Sequence, residues 1–294
     1  MTFLELAQKV ISETNLPMSA NEIWEYAIQH KYNTLVGTNG KTPWASIAAR
    51  IYIDLRDNPN SIFIKAAERP TRFFLKNMQI KPQEKLITKN DENDFHEREL
   101  HKYLTYYLFN FHSIYTKTIF HEKSNKNKYA QWLHPDMVGV YFYFDKWQDE
   151  LYQLSKDLNY PLVKIYSYEL KRKLDFNNLR EVYFQAVSNS SWANEGYIVA
   201  ANIEKDEEFH EELKRLNNAF GIGVIELDID DPDSTKIILP ARQKDYLDLE
   251  TVNKIAKINP DFSNFLKQVR NDISIREIRD EKYDKVKHFE ELMK

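Results

Sequence analysis

The sequence contains no cysteine and only six glycines among its 294 residues. Without cysteine the chain can form neither disulfides nor thiolate metal sites, and it cannot use a cysteine nucleophile. The glycines form neither a G-x-G-x-x-G nor a G-x-x-x-x-G-K-[ST] pattern, which excludes the common nucleotide-binding loops as the basis of function. The lack of cysteine is consistent with a cytoplasmic protein, and we predict that location.

Long apolar runs and an excess of positive charge are also missing. No run of about 18 apolar residues occurs, so no transmembrane helix and no membrane partner are expected. The net charge is −4, so a surface that binds nucleic acid would have to be a local basic patch. With 42% hydrophobic and 14% aromatic residues, the chain can bury a sizeable core in one large or two modest domains.

Residues 1–76 show the pattern of three helices followed by a small hairpin. Apolar residues at helical spacing predict the first two helices, and Ser19 and Asn21 are candidate caps of the second. The third helix is expected to open at Thr42 with Pro43 in its first position. Two short β-rich runs, SIFIKAA and TRFFLKN, are separated by the turn ERP. This order predicts a winged helix-turn-helix domain.

Three segments of this domain, LAQKVISETNLPMSANEIWEYA, GKTPWASIAARIYIDLRD and SIFIKAAERPTRFFL, closely resemble the HARE-HTH domain. That family is a winged helix fused to chromatin proteins and to restriction endonucleases. The resemblance implies DNA binding, with recognition of a DNA sequence or a modified base, and the third helix is the candidate recognition helix. The candidate DNA-contacting residues of this helix and the wing are Lys41, Thr42, Trp44, Ser46, Arg50, Lys65, Arg69 and Arg72.

This domain also has a second interpretation. Trp44 would then belong to the core, the charged residues would be ordinary surface, and the domain would bind a protein. The absence of strong positive charge keeps this alternative open.

Residues 77–93 are polar, lack periodicity and are interpreted as a linker. From residue 94 to 294, helical and β-rich segments alternate, and the part from Leu249 onward is helical and increasingly charged. We therefore predict an α+β chain, in which the winged helix is followed by a mixed central sheet flanked by helices and by a helical tail. The last segment, KHFEELMK, is expected to be a solvated end.

A chemically distinctive pattern lies in the second part. Asp136 stands directly before an aromatic, β-rich run, and Glu169 and Lys171 lie in the next predicted strand, VKIYSYELK. Side chains two apart on a strand point to the same face, so Glu169 and Lys171 share one side of the sheet. Charged groups in an otherwise apolar strand cost free energy unless they pair or serve a function.

The stretches HPDMVGV, YELKRKL and FQAVSNSSWANEGYIVA resemble the PD-(D/E)xK nuclease domain of HARE-HTH restriction endonuclease-like proteins, over about residues 95–245. The resemblance implies hydrolysis of phosphodiester bonds with Mg²⁺ as cofactor. Asp136 and Glu169 would be metal ligands, since hard oxygen ligands suit Mg²⁺. Lys171 would position the attacking water and steady the phosphate. The predicted helix WQDELYQLSKDL departs from the short hairpin that joins these strands in many family members.

Two further residues are candidates for the same site. The first helix of nucleases of this class often supplies another acid, and we prefer Glu99 to Glu97 because Glu99 directly precedes an apolar row. Glu99 is therefore a candidate catalytic residue and metal ligand. Gln185, in the helix after the E-x-K strand, resembles the glutamine of the Mrr-like branch, and a structural or phosphate-contacting role is expected for it rather than a directly catalytic one.

Each candidate also has a purely structural interpretation. Asp136 would be turn punctuation, and Glu169 and Lys171 would be an exposed pair on an edge strand. Glu97 and Glu99 would reflect the preference for acids at helix N-termini. The glutamine and the SNSSWAN run would only cap and pack a helix end.

The function predicted from these patterns is a DNA endonuclease of a restriction or defence system that acts on double-stranded DNA. Cutting both strands needs two sites, which is consistent with a homodimer. No methyltransferase motif is present, so a separate methyltransferase would protect the host, unless the target is a modified base. The alternatives are a non-catalytic DNA-binding regulator or interaction module with an inactive nuclease-like fold, and a nuclease acting on RNA or repair intermediates.

Overall fold

The structure is a computed structural model that describes residues 1–38, 42–68, 71–78, 97–120 and 134–292. The chain divides into two compact units, Met1–Asp94 and Phe95–Lys294. Two of the predicted DNA-contacting residues, Lys41 and Arg69, lie outside the described residues, and so does most of the predicted linker.

The first unit is a set of helices followed by a hairpin, as the sequence predicts. Its elements are α1 Phe3–Thr14, α2 Ala20–Gln29, α3 Asn33–Val36, α4 Pro43–Asp57, β1 Phe63–Glu68 and β2 Thr71–Leu75. The short α3 is additional to the three predicted helices. Ser19 is the cap of α2, in a capping box with Glu22, whereas Asn21 lies inside the helix. Thr42 precedes α4, with Pro43 in the first turn.

One core joins these elements. The apolar faces of α1, α2 and α4 are buried together, and the second strand of the hairpin closes the core with fully buried aromatic side chains. A β-bridge between Met18 and Phe73 ties the segment before α2 to the hairpin. The hairpin is therefore fixed to the helices along one strand, while its turn lies outside the described residues.

The second unit is built on a six-stranded mixed sheet in the order β3-β4-β5-β6-β7-β8. The three neighbours β4, β5 and β6 lie at its centre. β5 pairs antiparallel with β4 and parallel with β6, and β6 pairs parallel with β7. Both edges are antiparallel. The strands are β3 Ile114–Thr118, β4 Met137–Phe142, β5 Val163–Leu174, β6 Glu195–Ile203, β7 Gly223–Glu226 and β8 Lys236–Leu239.

Helices cover both faces of this sheet. One face packs against α5 through a cluster that includes Leu104 and Tyr168, and the other packs against α7 and α8 through Val182 and Leu213. The helices of the unit are α5 Leu100–His112, α6 Asp149–Asp157, α7 Leu179–Ser190, α8 Glu207–Phe220, α9 Leu249–Ile258, α10 Pro260–Ile275 and α11 Phe289–Leu292. None of the helices in the described ranges is long and apolar enough to cross a membrane.

The edge strand β3 is absent from the sequence prediction. Its five residues, IYTKT, follow α5 directly, and Ser113 turns the chain between them in a left-handed conformation with φ 54°. So short a strand with polar ends has little periodicity of its own, and it forms because it pairs with β4 along its whole length. β3 therefore makes β4 an internal strand.

The predicted helix between the Asp136 and Glu169 strands is present as α6, yet the two strands pair directly. Met137 lies opposite Tyr168, and Phe142 lies opposite Val163. The connection through α6 leaves from the far end of β4. Extending the antiparallel register by one residue places Asp136 opposite Glu169.

Close packing at the centre of β4 depends on a glycine. A Cβ on Gly139 would lie 2.8 Å from Ile114 Cγ2 and 3.0 Å from Tyr168 Cε2, so a larger residue would push this ring away. The C-terminal end is packed as well. The expectation that KHFEELMK is a solvated end is wrong for Leu292, which is 1% exposed and whose carbonyl accepts a hydrogen bond from the Tyr103 hydroxyl.

Candidate active site

Asp136, Glu169 and Lys171 come together where the start of β4 meets the interior of the neighbouring strand β5. Lys171 Nζ lies 2.8 Å from Glu169 Oε1. Asp136 Oδ2 accepts a hydrogen bond of 2.8 Å from the backbone amide of Leu170, the residue between them. This bond holds the Asp136 carboxylate against the E-x-K segment, so the carboxylate acts across strands and not only within its own turn.

Burial separates this pair from an ordinary surface ion pair. Glu169 is 2% exposed, and its strand is the third of six in the sheet. The interpretation as an exposed pair on an edge strand is therefore wrong. A buried carboxylate is retained only with good partners, because desolvation of its charge is costly.

The electrostatics of the site follow from this burial. Desolvation, followed by the negative charge of Asp136, raises the pKa of Glu169 to about 7 against the opposing effect of Lys171. For Lys171, burial lowers the pKa, but the charges of Glu169, Asp136 and Glu97 outweigh burial and raise it. Lys171 therefore stays protonated and positively charged at neutral pH. The two facing carboxylates repel each other, and a bound cation would relieve that repulsion.

This arrangement predicts a pH effect on stability. The pKa of Glu169 is about 7 in the folded protein, whereas its ordinary value is 4.5. Between these pH values the Glu169 carboxyl keeps its proton in the folded protein but loses it in the unfolded chain. The free energy of unfolding therefore falls as pH rises from 4.5 to 7. The Glu169→Gln variant has no titrating carboxyl group at this position. We expect the fall in unfolding free energy from pH 5 to pH 8 to be smaller in the variant by about 1–3 kcal/mol.

Urea denaturation at the two pH values, with divalent cations removed, measures this difference. The control is Glu226→Gln, because Glu226 is a partly exposed carboxylate on β7. If Glu169→Gln and wild type lose the same free energy between pH 5 and pH 8, Glu169 is not held in a raised-pKa state.

Of the two acids before α5, the structure places Glu97, and not Glu99, beside the cluster. Glu97 Oε1 lies 3.9 Å from Lys171 Nζ. Glu99 is exposed, and its charge acts on Tyr103. The preference for Glu99 assumed that the α-helix already runs through this acid. In the structure the three residues 97–99 form a 3₁₀ turn, and α5 begins only at Leu100. The side chains of Glu97 and Glu99 therefore point in other directions than they would in an α-helix.

The helix α7 supplies a further contact, although not from the predicted residue. Gln185 is half-buried on α7, and within the described part of the chain no hydrogen bond joins it to the cluster. One turn later, Asn189 Nδ2 donates to Glu169 Oε2 at 2.9 Å. The sequence analysis missed Asn189. Its spacing of four residues from Gln185, which puts both on one helix face, is the pattern that would have found it.

The residues fit a hard divalent cation with few protein ligands. Asp136 and Glu169 offer carboxylate oxygens, the ligands that Mg²⁺ prefers. Within the described ranges, no group of three or more His, Asp or Glu side chains is arranged to hold a metal. A Mg²⁺ ion here would therefore keep several waters or take phosphate oxygens, which is its usual behaviour at sites that act on phosphates.

In the first unit, the predicted DNA-contacting residues have different environments. Thr42, Trp44 and Ser46 are half-buried at the start of α4, whereas Arg50 is exposed. Lys65 on the wing is exposed, and its Nζ lies 4.7 Å above the Tyr52 ring. Two exposed residues of α4 that the sequence analysis did not select, Ala49 and the 43% exposed Ile53, flank Arg50.

Arg72 is committed to the fold of its own domain. Its guanidinium donates to both carboxylate oxygens of Glu22, at 2.7 and 2.6 Å, and to the carbonyl of Pro17 at 3.0 Å. A bidentate pair of this kind fixes geometry. In the structure Arg72 therefore joins the wing to the cap of α2, and its contact with DNA stays a prediction.

Comparison with known families agrees with the first unit. Residues 1–74 match the HARE-HTH family, whose description names ASXL and a restriction endonuclease HTH domain. This match confirms the predicted HARE-HTH domain, and a domain of this family suggests DNA binding. Neither the curated proteins nor the solved structures contain a match to the chain. The second unit is accordingly defined by its own geometry, as a mixed sheet flanked by helices with an Asp–Glu–Lys cluster whose glutamate is buried.

Proposed function

We propose that the protein is a Mg²⁺-dependent DNA endonuclease of a restriction or defence system, in which the N-terminal domain binds double-stranded DNA. One observation carries the proposal. Asp136, Glu169 and Lys171 converge where the start of β4 meets the interior of β5, and the glutamate is buried in the middle of the sheet. A fold gains little from such a cluster unless the cluster performs chemistry.

Each residue of the cluster has a distinct task in this reaction. Asp136 and Glu169 would hold Mg²⁺, which when bound stabilises negative charge on the phosphate and lowers the pKa of the attacking water. Lys171, whose ammonium group stays protonated, would position that water and stabilise the negative charge that develops on the phosphate oxygens. Glu97 lies within 3.9 Å of Lys171 and would limit the directions that the ammonium group can take. Glu99 and Gln185 have neither a hydrogen bond nor an ion pair to this cluster among the described residues, and they would act on the bound DNA.

The solvent face of α4 supports DNA binding by the first unit. A recognition helix reads bases through arginine donating to guanine and through apolar side chains touching the methyl group of thymine. Arg50, flanked by Ala49 and Ile53, provides both kinds of group on one exposed surface. The same surface fits recognition of a particular sequence or of a base that carries an added methyl group.

This surface gives a direct prediction. Arg50→Ala should weaken DNA binding by about 1–3 kcal/mol if the arginine contacts a base, or reduce the salt dependence of binding by about one counterion if it contacts a phosphate. Arg72→Gln should instead lower the unfolding temperature of the first unit, because it breaks the pair with Glu22. Fluorescence anisotropy with labelled duplex DNA at several salt concentrations measures the affinity, and wild-type affinity in Arg50→Ala would remove α4 from the interface.

The proposal itself is tested by incubating the protein with unmodified and cytosine-modified plasmids, in Mg²⁺ or in EDTA. Cutting that requires Mg²⁺ is the expected result, and the plasmid that is cut identifies the kind of restriction. Binding without cutting of either plasmid would favour a non-catalytic DNA-binding regulator. Parallel reactions with single-stranded RNA and branched DNA distinguish the other nuclease classes. The homodimer, the separate methyltransferase and the cytoplasmic location stay predictions.

A further inference from the structure

Both oxygens of the buried Glu169 carboxylate have separate partners. Oε1 is 2.8 Å from Lys171 Nζ, and Oε2 accepts from Asn189 Nδ2 at 2.9 Å. Lys171 is a long and flexible side chain on the same strand, so it does not fix the carboxylate by itself. The contact from Asn189 comes from a different element, the last turn of α7, and thus limits rotation of the carboxylate group.

Asn189 is itself held firmly in place. Its backbone carbonyl accepts hydrogen bonds from Ser167 Oγ at 3.1 Å and from Trp192 Nε1 at 2.8 Å. Ser167 lies two residues before Glu169 and therefore on the same face of β5. Trp192 is fully buried, and Asn189 is 3% exposed. These hydrogen bonds fix the position of the C-terminal end of α7 relative to β5, the strand that carries Glu169.

The Asn189 side-chain amide is not fully hydrogen-bonded in its buried position. Asn189 Oδ1 is buried and has no hydrogen-bond partner among the described residues. An unpaired buried acceptor costs about 1–3 kcal/mol. Turning the amide over would place its oxygen against a carboxylate, so the observed orientation is the one that serves Glu169. The side chain is therefore retained at a cost to stability, for the single bond to Glu169.

We propose that Asn189 is a positioning residue for the metal site: it binds Glu169 Oε2 and so restrains the carboxylate that, with Asp136, would hold Mg²⁺. This inference rests on the proposed function, because it concerns the same two carboxylates. Residues that orient metal ligands typically contribute about 10–100-fold to metal affinity or activity. Gln185, one turn earlier on α7, makes no such contact among the described residues.

The test measures metal binding by the full chain without DNA. Mn²⁺ is titrated and its free concentration followed by electron paramagnetic resonance, with Mg²⁺ as competitor, for wild type, Glu169→Ala, Asn189→Leu and Asn259→Ala. Leucine has the same number of side-chain heavy atoms as asparagine and cannot donate a hydrogen bond. Asn259 is the matched control, because it is 0% exposed and caps α10 through the amides of Asp261 and Phe262, far from β5 in the chain. Its loss should lower stability and leave ion binding unchanged.

We expect Asn189→Leu to weaken ion binding about 10–100-fold. The Mg²⁺ concentration needed for half-maximal cleavage should rise by a similar factor, while the rate at saturating Mg²⁺ recovers. Wild-type ion affinity in Asn189→Leu, together with lost affinity in Glu169→Ala, would overturn the positioning role and leave the proposed nuclease intact. Absence of ion binding by the wild type, together with no Mg²⁺-dependent cutting of either plasmid, would overturn both. If Asn189→Leu does not fold, Ser167→Ala, which removes one of the two hydrogen bonds to the Asn189 carbonyl, should weaken ion binding by a smaller factor. Unchanged affinity in Ser167→Ala would then count against the proposal.

Discussion

Glu169→Gln should reduce Mg²⁺-dependent DNA cleavage by roughly 10³-fold or more, because it removes both a metal ligand and the charge that holds Lys171. Glutamine keeps the size of the side chain and can still accept from Asn189, so the sheet should fold as in the wild type. DNA binding should persist, since α4 and the wing belong to the other unit of the chain. Single-turnover cleavage of plasmid DNA and duplex binding are to be measured on the same preparation.

The second unit offers a matched control for this substitution. Glu195 is also a buried glutamate of the central sheet, and it pairs with Lys164 at 2.5 Å and accepts from the Tyr197 hydroxyl at 3.0 Å. It lies opposite Tyr166 on β5, about 10 Å along the strand from Glu169. Glu195→Gln should cost stability but retain cleavage. Equal loss of cleavage in both variants would mean that any disturbance of the sheet abolishes activity, and that Glu169 has no special role.

Lys171→Met should lower the cleavage rate by about 10²–10³-fold, the usual effect of removing one group that stabilises charge in the transition state. Methionine retains the apolar length of the side chain, so packing around position 171 of β5 should change little. Metal affinity should not fall, because Lys171 is not a ligand and its removal leaves one fewer cation beside Asp136 and Glu169. A rate defect that persists at saturating Mg²⁺ would therefore separate Lys171 from the metal ligands.

The control for this lysine is two residues further along the same strand. Lys173 is largely exposed and pairs with Asp175 at 2.8 Å. Lys173→Met alters the charge of the same strand by the same amount, and we expect wild-type cleavage from it. Full activity in Lys171→Met would exclude the proposed mechanism, whatever the control does, since the reaction would then proceed without the cation that Glu169 holds in place.

The N-terminal domain was predictable because its determinants are local. Helical spacing of apolar residues, the cap at Ser19, the proline at the start of α4 and the turn between two β-rich runs each act within a few residues. The same locality limited the prediction. The bidentate bond from Arg72 to Glu22 joins residues far apart in the sequence, and no local pattern separates such an arginine from one that faces DNA.

The candidate site was predictable to a smaller extent. Alternation along a strand placed Glu169 and Lys171 on one side of the sheet, and the structure joins them by a hydrogen bond. Neither Asn189 nor Glu97 could be selected in this way. Asn189 reaches the site from α7, and the 3₁₀ turn before α5 decides which of two neighbouring acids approaches Lys171.

By itself, the sequence determined the HARE-HTH domain, the succession of most helices and strands, and the shared face of Glu169 and Lys171, because periodicity and capping act over short distances. Only the tertiary structure decided that β4 and β5 are neighbours across α6, that β3 closes the edge beside them, and that Glu169 is buried. These features depend on pairing between distant segments. Strand register and burial, and with them the raised pKa of Glu169, arise only when the whole sheet has formed.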